Sequence, residues 1–209
     1  MSDFHNPYDH GPGHDHGGPP TEQEILERAL RELLIEKGVF PADALRKSYE
    51  SSNDRSHEPG ARIVARTWVD PEFKALALRD SRAAAEQLGI DVGMFDLDMM
   101  ENTPKLHHVV VCTLCSCFHS QVLGDAPHWY KEKEYRSRVA VNPRAVLAEF
   151  GTPIADDVEV RVVDSTAEVR FMVLPERPAG TEHMSEEELV KLITQDNMIG
   201  VTRVEAPAS

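Results

Sequence analysis

All three cysteines of the chain lie within six consecutive residues, Cys112-Thr113-Leu114-Cys115-Ser116-Cys117, which we call the cysteine loop. Thiols this close together cannot act as a disulfide framework that links distant parts of a fold. The β-branched run from His107 to Val111 predicts a buried strand that leads directly into the loop. We therefore expect a metal site at a strand end, in a protein of the reducing cytoplasm.

Three of the four interpretations of this loop involve ordinary thiols. A structural zinc site needs four ligands, and His119 could supply the fourth. An iron–sulfur cluster normally takes four cysteines, so one ligand would come from outside the loop. Three reduced thiols in a core are also conceivable, although the polar residues around them are unusual for a core.

The fourth interpretation uses the backbone of the cysteine loop. A strongly Lewis-acidic trivalent metal can deprotonate the amide nitrogens of Ser116 and Cys117, which lie beside the thiolates of Cys115 and Cys117. These four atoms would form an N2S2 plane, with Cys112 as the axial ligand. The sixth coordination position would remain for water or substrate, as catalysis by a metal requires.

The charge of the chain excludes two classes of partner. It has 22 basic and 36 acidic residues, giving a formal net charge of -14. Such a chain repels the phosphates of nucleic acids and the surfaces of anionic lipids. No segment approaches the roughly 20 apolar residues of a transmembrane helix, and the N-terminus has no apolar signal core. We expect neither nucleic acid nor a membrane as a partner.

Three regions are predicted along the chain. Residues 1–20 are rich in His, Gly and Pro, which predicts disorder. Residues 21–58 are predicted to form a helical arm, with one helix from its N-cap Thr21 to Gly38 and a second from Pro41 to Ser51. Residues 59–209 are predicted to form a globular metal-binding domain.

Further elements are predicted within the globular region. Residues 61–88 have a helical pattern with a helix start at Pro71, and a short helix is expected over Pro143–Phe150. Strands over 158–163 and 169–174 flank a turn and predict a C-terminal sheet. Ser185 and Glu188 have the form of a capping box that opens a helix ending near Thr194.

The segment VCTLCSC, from Val111 to Cys117, resembles the metal-binding signature of cobalt-type nitrile hydratase α subunits. The iron type usually has Ser where this chain has Thr113. The resemblance extends over nearly everything after residue 21, including 61–80, 122–151, 169–180 and 197–201. The metal-bearing γ subunit of thiocyanate hydrolase is similar and shares VCTLCSC.

The resemblance implies an α+β fold, in which a helical N-terminal arm precedes a layered α-β-β-α globular domain. It implies one low-spin Co(III) per chain, with Fe(III) as the less favoured metal, on Cys112, Cys115, Ser116 and Cys117. It also implies that Cys115 is oxidised to sulfinate and Cys117 to sulfenate. Cys115, Ser116 and Cys117 would then be the catalytic residues that hydrate a nitrile to its amide.

The resemblance further implies several partners. These are a nitrile hydratase β subunit in an αβ or α2β2 assembly, possibly split into two chains, a cobalt-inserting activator protein and a small nitrile. The helical arm would wrap around the β subunit, which would bring two arginines to the oxidised sulfurs. In this chain Arg170 matches an interface arginine, whereas Arg136, Arg138 and Arg144 match a basic stretch. For all four, a solvated salt bridge is an equal expectation.

The chain departs from the family directly after the loop. Family members commonly have aromatic-Pro-Trp there, whereas this chain has Phe118-His119-Ser120-Gln121. His119, Ser120 and Gln121 are therefore predicted to line a wider, more polar pocket for a bulky or polar nitrile, although a lone His in a polar loop is more often a surface residue. Alternatives are a thiocyanate hydrolase subunit, in which a basic residue commonly replaces Ser120, and a non-catalytic zinc-binding subunit.

Overall fold

A computed structural model describes residues 21–41 and 55–207. Residues 21–41 belong to one compact unit, and residues 55–207 belong to a second. The predicted tail, 1–20, lies outside the described residues. So does the predicted helix over 41–51, apart from Pro41. Both remain predictions.

The first unit contains the helix predicted from Thr21. Helix α1 spans Glu22–Glu36, and the Ile25 amide donates to the Thr21 carbonyl at 3.0 Å. The helix ends at Gly38, whose φ of 69° is the left-handed conformation that a helix C-terminus favours. Its large apolar residues are 47 to 62% exposed within this unit, namely Ile25, Leu26, Leu30 and Leu33. This helix therefore presents an uncovered apolar surface.

The second unit begins with three helices where one helical stretch was predicted. They are α2 (Glu58–Val69), α3 (Pro71–Arg79) and α4 (Ser81–Gln87). The Asp70 carboxylate accepts hydrogen bonds from the amides of Glu72 and Phe73 at 3.0 Å, and Asp80 accepts one from Ala83 at 3.0 Å. Because each aspartate caps the next helix, the stretch is interrupted twice. The predicted start at Pro71 is confirmed.

Four strands form two parallel pairs. Strands β1 (Asp96–Glu101) and β4 (Val169–Leu174) pair with each other, as do β2 (Leu106–Val111) and β3 (Glu159–Asp164). The prediction of a buried strand before the cysteine loop is confirmed by β2. The sequence did not predict β1, because its acidic residues lie on the exposed face while only Leu97 and Met99 are buried.

The expectation that the two C-terminal strands share one sheet is wrong. Strand β3 pairs with β2 and β4 pairs with β1, so the turn between β3 and β4 connects two different sheets. Strands β2 and β4 have apolar, largely buried residues on both faces. This pattern is typical of strands in parallel sheets that helices cover on both sides. Such pairs join strands that are distant in sequence.

Within residues 55–207, six further short helices follow. They are α5 (Ser120–Leu123), α6 (His128–Lys131), α7 (Lys133–Val141), α8 (Pro143–Glu149), α9 (Glu186–Val190) and α10 (Gln195–Ile199). The helix predicted at Pro143 and the capping box of Ser185 and Glu188 are confirmed. The helix after Ser185 ends at Val190 and not near Thr194, because Thr194 and Asn197 form a second capping box.

The two sheets lie between helical layers. Helices α3 and α4 pack on β1 and α10 packs on β4, whereas α7 contacts β2 and α8 contacts β3. One apolar core lies under α2 to α4 and a second lies under α6 to α8. The unit is thus the expected α+β fold with α-β-β-α layers. Among the described residues, no helix combines the length and apolarity needed to cross a membrane.

Candidate metal centre

The cysteine loop begins where β2 leaves the core. Val111 pairs with Asp164 of β3, and its carbonyl accepts a hydrogen bond from the Ser165 amide at 2.7 Å. The Tyr135 hydroxyl donates to the Val110 carbonyl at 2.7 Å. Cys112 follows at 1% exposure. The first thiol of the loop is therefore held by the core itself.

The three thiols of the loop converge. The Sγ atoms of Cys112 and Cys115 are 3.2 Å apart, and those of Cys115 and Cys117 are 2.9 Å apart. All three sulfurs lie within 4.8 Å of one another, which is close enough for one ion to bind all of them. Among the described residues, no His, Asp or Glu joins this group. His119 therefore does not complete the tetrahedral zinc site considered above.

Neighbouring elements anchor the loop on three sides. The Asp164 carboxylate accepts hydrogen bonds from the Thr113 amide at 2.9 Å and from the Thr113 hydroxyl at 2.5 Å. The Tyr130 hydroxyl donates to the Cys117 carbonyl at 3.1 Å, and Arg136 donates to the Thr113 carbonyl at 3.4 Å. These bonds hold the backbone on both sides of the central thiol.

The outer side of the loop is open. Thr113, Leu114, Cys115 and Ser116 are exposed, and Leu114 reaches 92% exposure. Cys117 is half-buried. A ligand or a second protein chain can therefore approach the sulfurs from this side, while Cys112 is reached only through the loop.

The thiols differ in acidity. Hydrogen bonds from the thiols of Cys117 and then Cys112 lower the pKa of Cys115. Burial, followed by the hydrogen bond to Cys115, raises the pKa of Cys117 to about 12, and the charge of Arg170 opposes this increase. Of these two thiols, Cys115 therefore loses its proton more readily. A bound metal ion deprotonates all the thiols that coordinate it.

His119 is buried, which excludes the alternative that it is a surface residue, while its predicted place in a substrate pocket remains a prediction. It is 1% exposed, and neither ring nitrogen has a hydrogen-bond partner among the described residues. Burial is the main cause that lowers the pKa of His119 to about 4, and the charge of Arg170 lowers it further. His119 therefore lies inside the protein behind the loop as a neutral imidazole.

Arg170 also lies behind the loop and is not part of a salt bridge. It is 6% exposed, its guanidinium lies 4.2 Å from the centroid of the Phe95 ring, and it donates to the Thr166 carbonyl. Among residues 55–207, no carboxylate is within ion-pair distance of it. Its positive charge is therefore available to groups on the loop.

The other three arginines have different partners. Arg138 pairs with Glu149 at the surface, which is the solvated salt bridge expected as the alternative. Arg144 donates to the carbonyls of residues 154, 155 and 158. Of the three, Arg136 alone contacts the cysteine loop.

Ser120 and Gln121, predicted to line a pocket, are half-buried at the start of α5. The Gln121 carboxamide lies over the backbone of Gly93. Sequence reasoning did not identify Asp164, Tyr130 or Phe95 as parts of this site. They come from β3, from α6 and from the segment before β1, and no local pattern relates them to the cysteines.

Comparisons with known proteins agree with this site. The sequence profile of the family described as nitrile hydratase, alpha chain, matches residues 21–202. The low-molecular-weight cobalt-containing nitrile hydratase α subunit of Rhodococcus rhodochrous is 46% identical over 195 residues, covering 91% of this chain and 94% of that protein. The thiocyanate hydrolase γ subunit of Thiobacillus thioparus is 40% identical over 193 residues, covering 87% and 79% respectively.

A solved structure supports the same assignment. A double mutant of the iron-type nitrile hydratase from Comamonas testosteroni Ni1 superposes with a TM-score of 0.76 at 42% identity, covering 90% of this chain and 94% of that one. The sequence match, the fold match and the converging thiols point to one family. The chain belongs to the nitrile hydratase α-subunit family.

Proposed function

We propose that this chain is the metal-bearing α subunit of a nitrile hydratase, a hydro-lyase that converts a nitrile to its amide. The observation that carries the proposal is the convergence of Cys112, Cys115 and Cys117 within 4.8 Å at the end of a buried strand. A site of this kind has soft ligands and an open outer side, which suit a catalytic metal ion.

The donor set fits a trivalent ion, and cobalt is the metal that we propose. The thiolates of Cys112, Cys115 and Cys117 would bind it, together with the backbone nitrogens of Ser116 and Cys117. The Rhodococcus relative is named as cobalt-containing, which supports low-spin Co(III), whereas the Comamonas structure is iron-type and keeps Fe(III) as the alternative. When bound, the ion supplies Lewis acidity toward the nitrile.

The residues of this chain would position the reacting groups. Asp164, Arg136 and Tyr130 hold the loop backbone and would thereby position the oxygens of an oxidised Cys115 and Cys117. Oxidation to sulfinate and sulfenate needs access to the sulfurs, and Cys115 is exposed. Arg170 places a positive charge near Cys117, which favours an anionic sulfur oxygen there.

We propose that activity requires a β subunit, as αβ, α2β2 or with the β subunit split into two chains. Leu114 and Met94 are 92% and 85% exposed, and α1 has an uncovered apolar surface in its own unit. Several exposed apolar residues on one helix are typical of a surface that another chain covers. A cobalt-inserting activator protein and a cytoplasmic location complete the proposal, since reduced thiols must persist until the metal is loaded.

For the substrate we propose a bulky or polar nitrile, with Ser120 and Gln121 at the pocket and His119 behind it. The second candidate function is thiocyanate hydrolysis, favoured by the 40% identity to the Thiobacillus subunit. An anionic substrate favours positive charge at the pocket, yet Ser120 is neutral where that family commonly has a basic residue. Nitrile hydration is therefore the better supported function.

The test is the intact mass and metal content of the complex co-purified with its β subunit. We expect one cobalt per chain and about three added oxygens on the peptide that contains Cys115 and Cys117, two for a sulfinate and one for a sulfenate. The Cys112→Ala variant should lose the cobalt and all nitrile hydration, whereas the exposed Leu114→Ala variant should keep the cobalt. Zinc on unmodified cysteines would contradict the proposal and support a non-catalytic zinc subunit, and turnover of thiocyanate without nitriles would support the second candidate.

A further inference from the structure

Gln121 and Gly93 meet beside the cysteine loop. Gln121 is the second residue of α5, which begins shortly after Cys117. A Cβ atom added to Gly93 would lie 3.1 Å from Nε2 and 3.4 Å from Cδ of Gln121. The carboxamide thus lies directly on bare backbone. Any side chain at position 93 would crowd it and force it to move.

The backbone under this carboxamide is held in place. Gly93 has a φ of 69°, a conformation that residues with a side chain rarely adopt. Its amide donates to the Asp91 carboxylate at 2.7 Å. Arg82 donates to the carbonyls of Gly93 and Phe95 at 3.0 and 2.8 Å. The surface on which Gln121 rests is therefore fixed by three hydrogen bonds.

The same segment reaches the proposed metal centre through Phe95. The Phe95 ring lies 4.2 Å from the Arg170 guanidinium carbon, and the charge of Arg170 acts on both Cys117 and His119. The surface on which Gln121 rests is thus linked through Phe95 to Arg170, whose charge acts on the third thiol. Gln121 itself follows that thiol by four residues in the sequence.

The Gln121 carboxamide has hydrogen-bonding capacity to spare. Within residues 55–207, no group lies in hydrogen-bonding geometry to it, and the residue is half-buried. A carboxamide offers two donors and one acceptor with two lone pairs. These donors and acceptors are therefore available to a bound ligand.

We propose that Gln121, seated on Gly93, is a specificity-determining residue that binds a neutral polar substituent of the substrate. The substrate class is a nitrile whose far end carries a hydroxyl or carboxamide group. A neutral carboxamide can donate and accept hydrogen bonds but offers no charge, so neutral substituents suit it better than ionic ones. This inference rests on the proposed function and adds the part of the substrate that is recognised.

The experiment compares two nitriles of equal size, one ending in a hydroxyl and the other in a methyl group, on the cobalt-loaded complex with its β subunit. Gln121→Leu should raise KM for the hydroxyl nitrile roughly fivefold relative to the methyl nitrile, with kcat and cobalt content almost unchanged, since one hydrogen bond contributes about 1 kcal/mol. Gly93→Ala should shift the KM ratio in the same direction. Gln87→Leu, which changes an exposed glutamine, is the matched control and should shift nothing.

A second measurement does not depend on turnover. Calorimetric titration of the two amide products into the same complexes should show that the wild type prefers the hydroxyl amide and that Gln121→Leu loses this preference. Equal effects of Gln121→Leu on both ligands, or no effect at all, would overturn the inference. If the proposed function itself were wrong, the result would be different, because the wild type would hydrate neither nitrile. The calorimetric preference alone would then decide the role of Gln121.

Discussion

The polar groups at the two ends of strand β2 differ in how completely they are hydrogen-bonded. At its start, Asn102, His107 and His108 are buried and bonded to one another and to Gly200. At its end, the thiols bond mainly among themselves, and the nearby buried His119 has no partner among the described residues. One strand therefore carries a completed polar network and an incomplete one.

The completed network shows what a purely structural polar cluster looks like in this fold. His107 Nε2 lies 2.8 Å from the Gly200 carbonyl, and its Nδ1 lies 3.3 Å from Nδ2 of Asn102. The Asn102 carbonyl oxygen accepts from the His108 amide at 2.7 Å. Because each of these groups has a partner, the network needs no ligand.

Near the end of β2, some buried polar groups have no hydrogen-bond partner among the described residues. Buried polar groups without partners are costly, so each of them needs an explanation, such as an ordered water, an ion or a role in catalysis. His119 and the Nε atom of Arg170 are such groups, and both lie near Cys117. The end of β2 therefore retains unpaired polar groups beside the proposed metal centre, whereas the polar groups named at its start are paired.

The largest expected effect compares leucine substitutions at the two buried histidines. His107→Leu should lower the free energy of unfolding by about 3 kcal/mol, because the Gly200 carbonyl and Asn102 lose their partner in the core. His119→Leu should lower it by less than about 1 kcal/mol, because no hydrogen bond to the described residues is lost. Urea denaturation of the complexes measures both. Equal losses of unfolding free energy would show that His119 is as well hydrogen-bonded as His107. The proposed difference between the two ends of β2 would then be wrong.

A smaller effect is expected at the anchor of the cysteine loop. Asp164→Asn removes the charge that accepts two hydrogen bonds from Thr113. At this exposed position the substitution should raise the activation free energy of the reaction by about 1 kcal/mol, which lowers kcat roughly fivefold. The unfolding curve should not change. Steady-state kinetics and cobalt analysis would measure it, with the exposed Asp156→Asn as control. A lower stability with normal kinetics would make Asp164 a structural residue.

The smallest expected effect is the pH dependence of stability that His107 contributes at the start of β2. Burial is the main cause that lowers the pKa of His107, and Arg203 and His108 lower it further. The unfolded chain, with a histidine pKa of about 6.5, therefore binds more protons, so stability should be constant above that pH and fall as pH decreases below it. Between pH 7.5 and 6.0 the contribution of His107 should be less than about 1 kcal/mol.

Urea midpoints at several pH values would measure this decline. It should be smaller in His107→Gln, although His108 and His119, whose pKa values are also lowered, should preserve part of it. His128→Gln, at an exposed histidine, should decline like the wild type. An unchanged decline in His107→Gln would assign the pH dependence to other groups.

Local patterns in the sequence were enough to predict part of the fold. The helix after Thr21, strand β2, the start at Pro71 and the capping box at Ser185 all depend on neighbouring residues. The ends of elements were predicted less well, since Asp70 and Thr194 act as caps that interrupt a helical pattern. Strand β1 was missed because only one of its faces is apolar.

The cysteine loop could be derived from the sequence because its metal-binding chemistry is contained in six consecutive residues, and the family resemblance followed from the same segment. The tertiary structure decided which strands pair, that His119 is buried, that Asp164 holds Thr113, and that Gln121 lies on Gly93. Each of these contacts joins residues that are distant in sequence or depends on packing. Spacing along a chain specifies local hydrogen bonds and ligand sets, but only the folded core determines which distant groups meet.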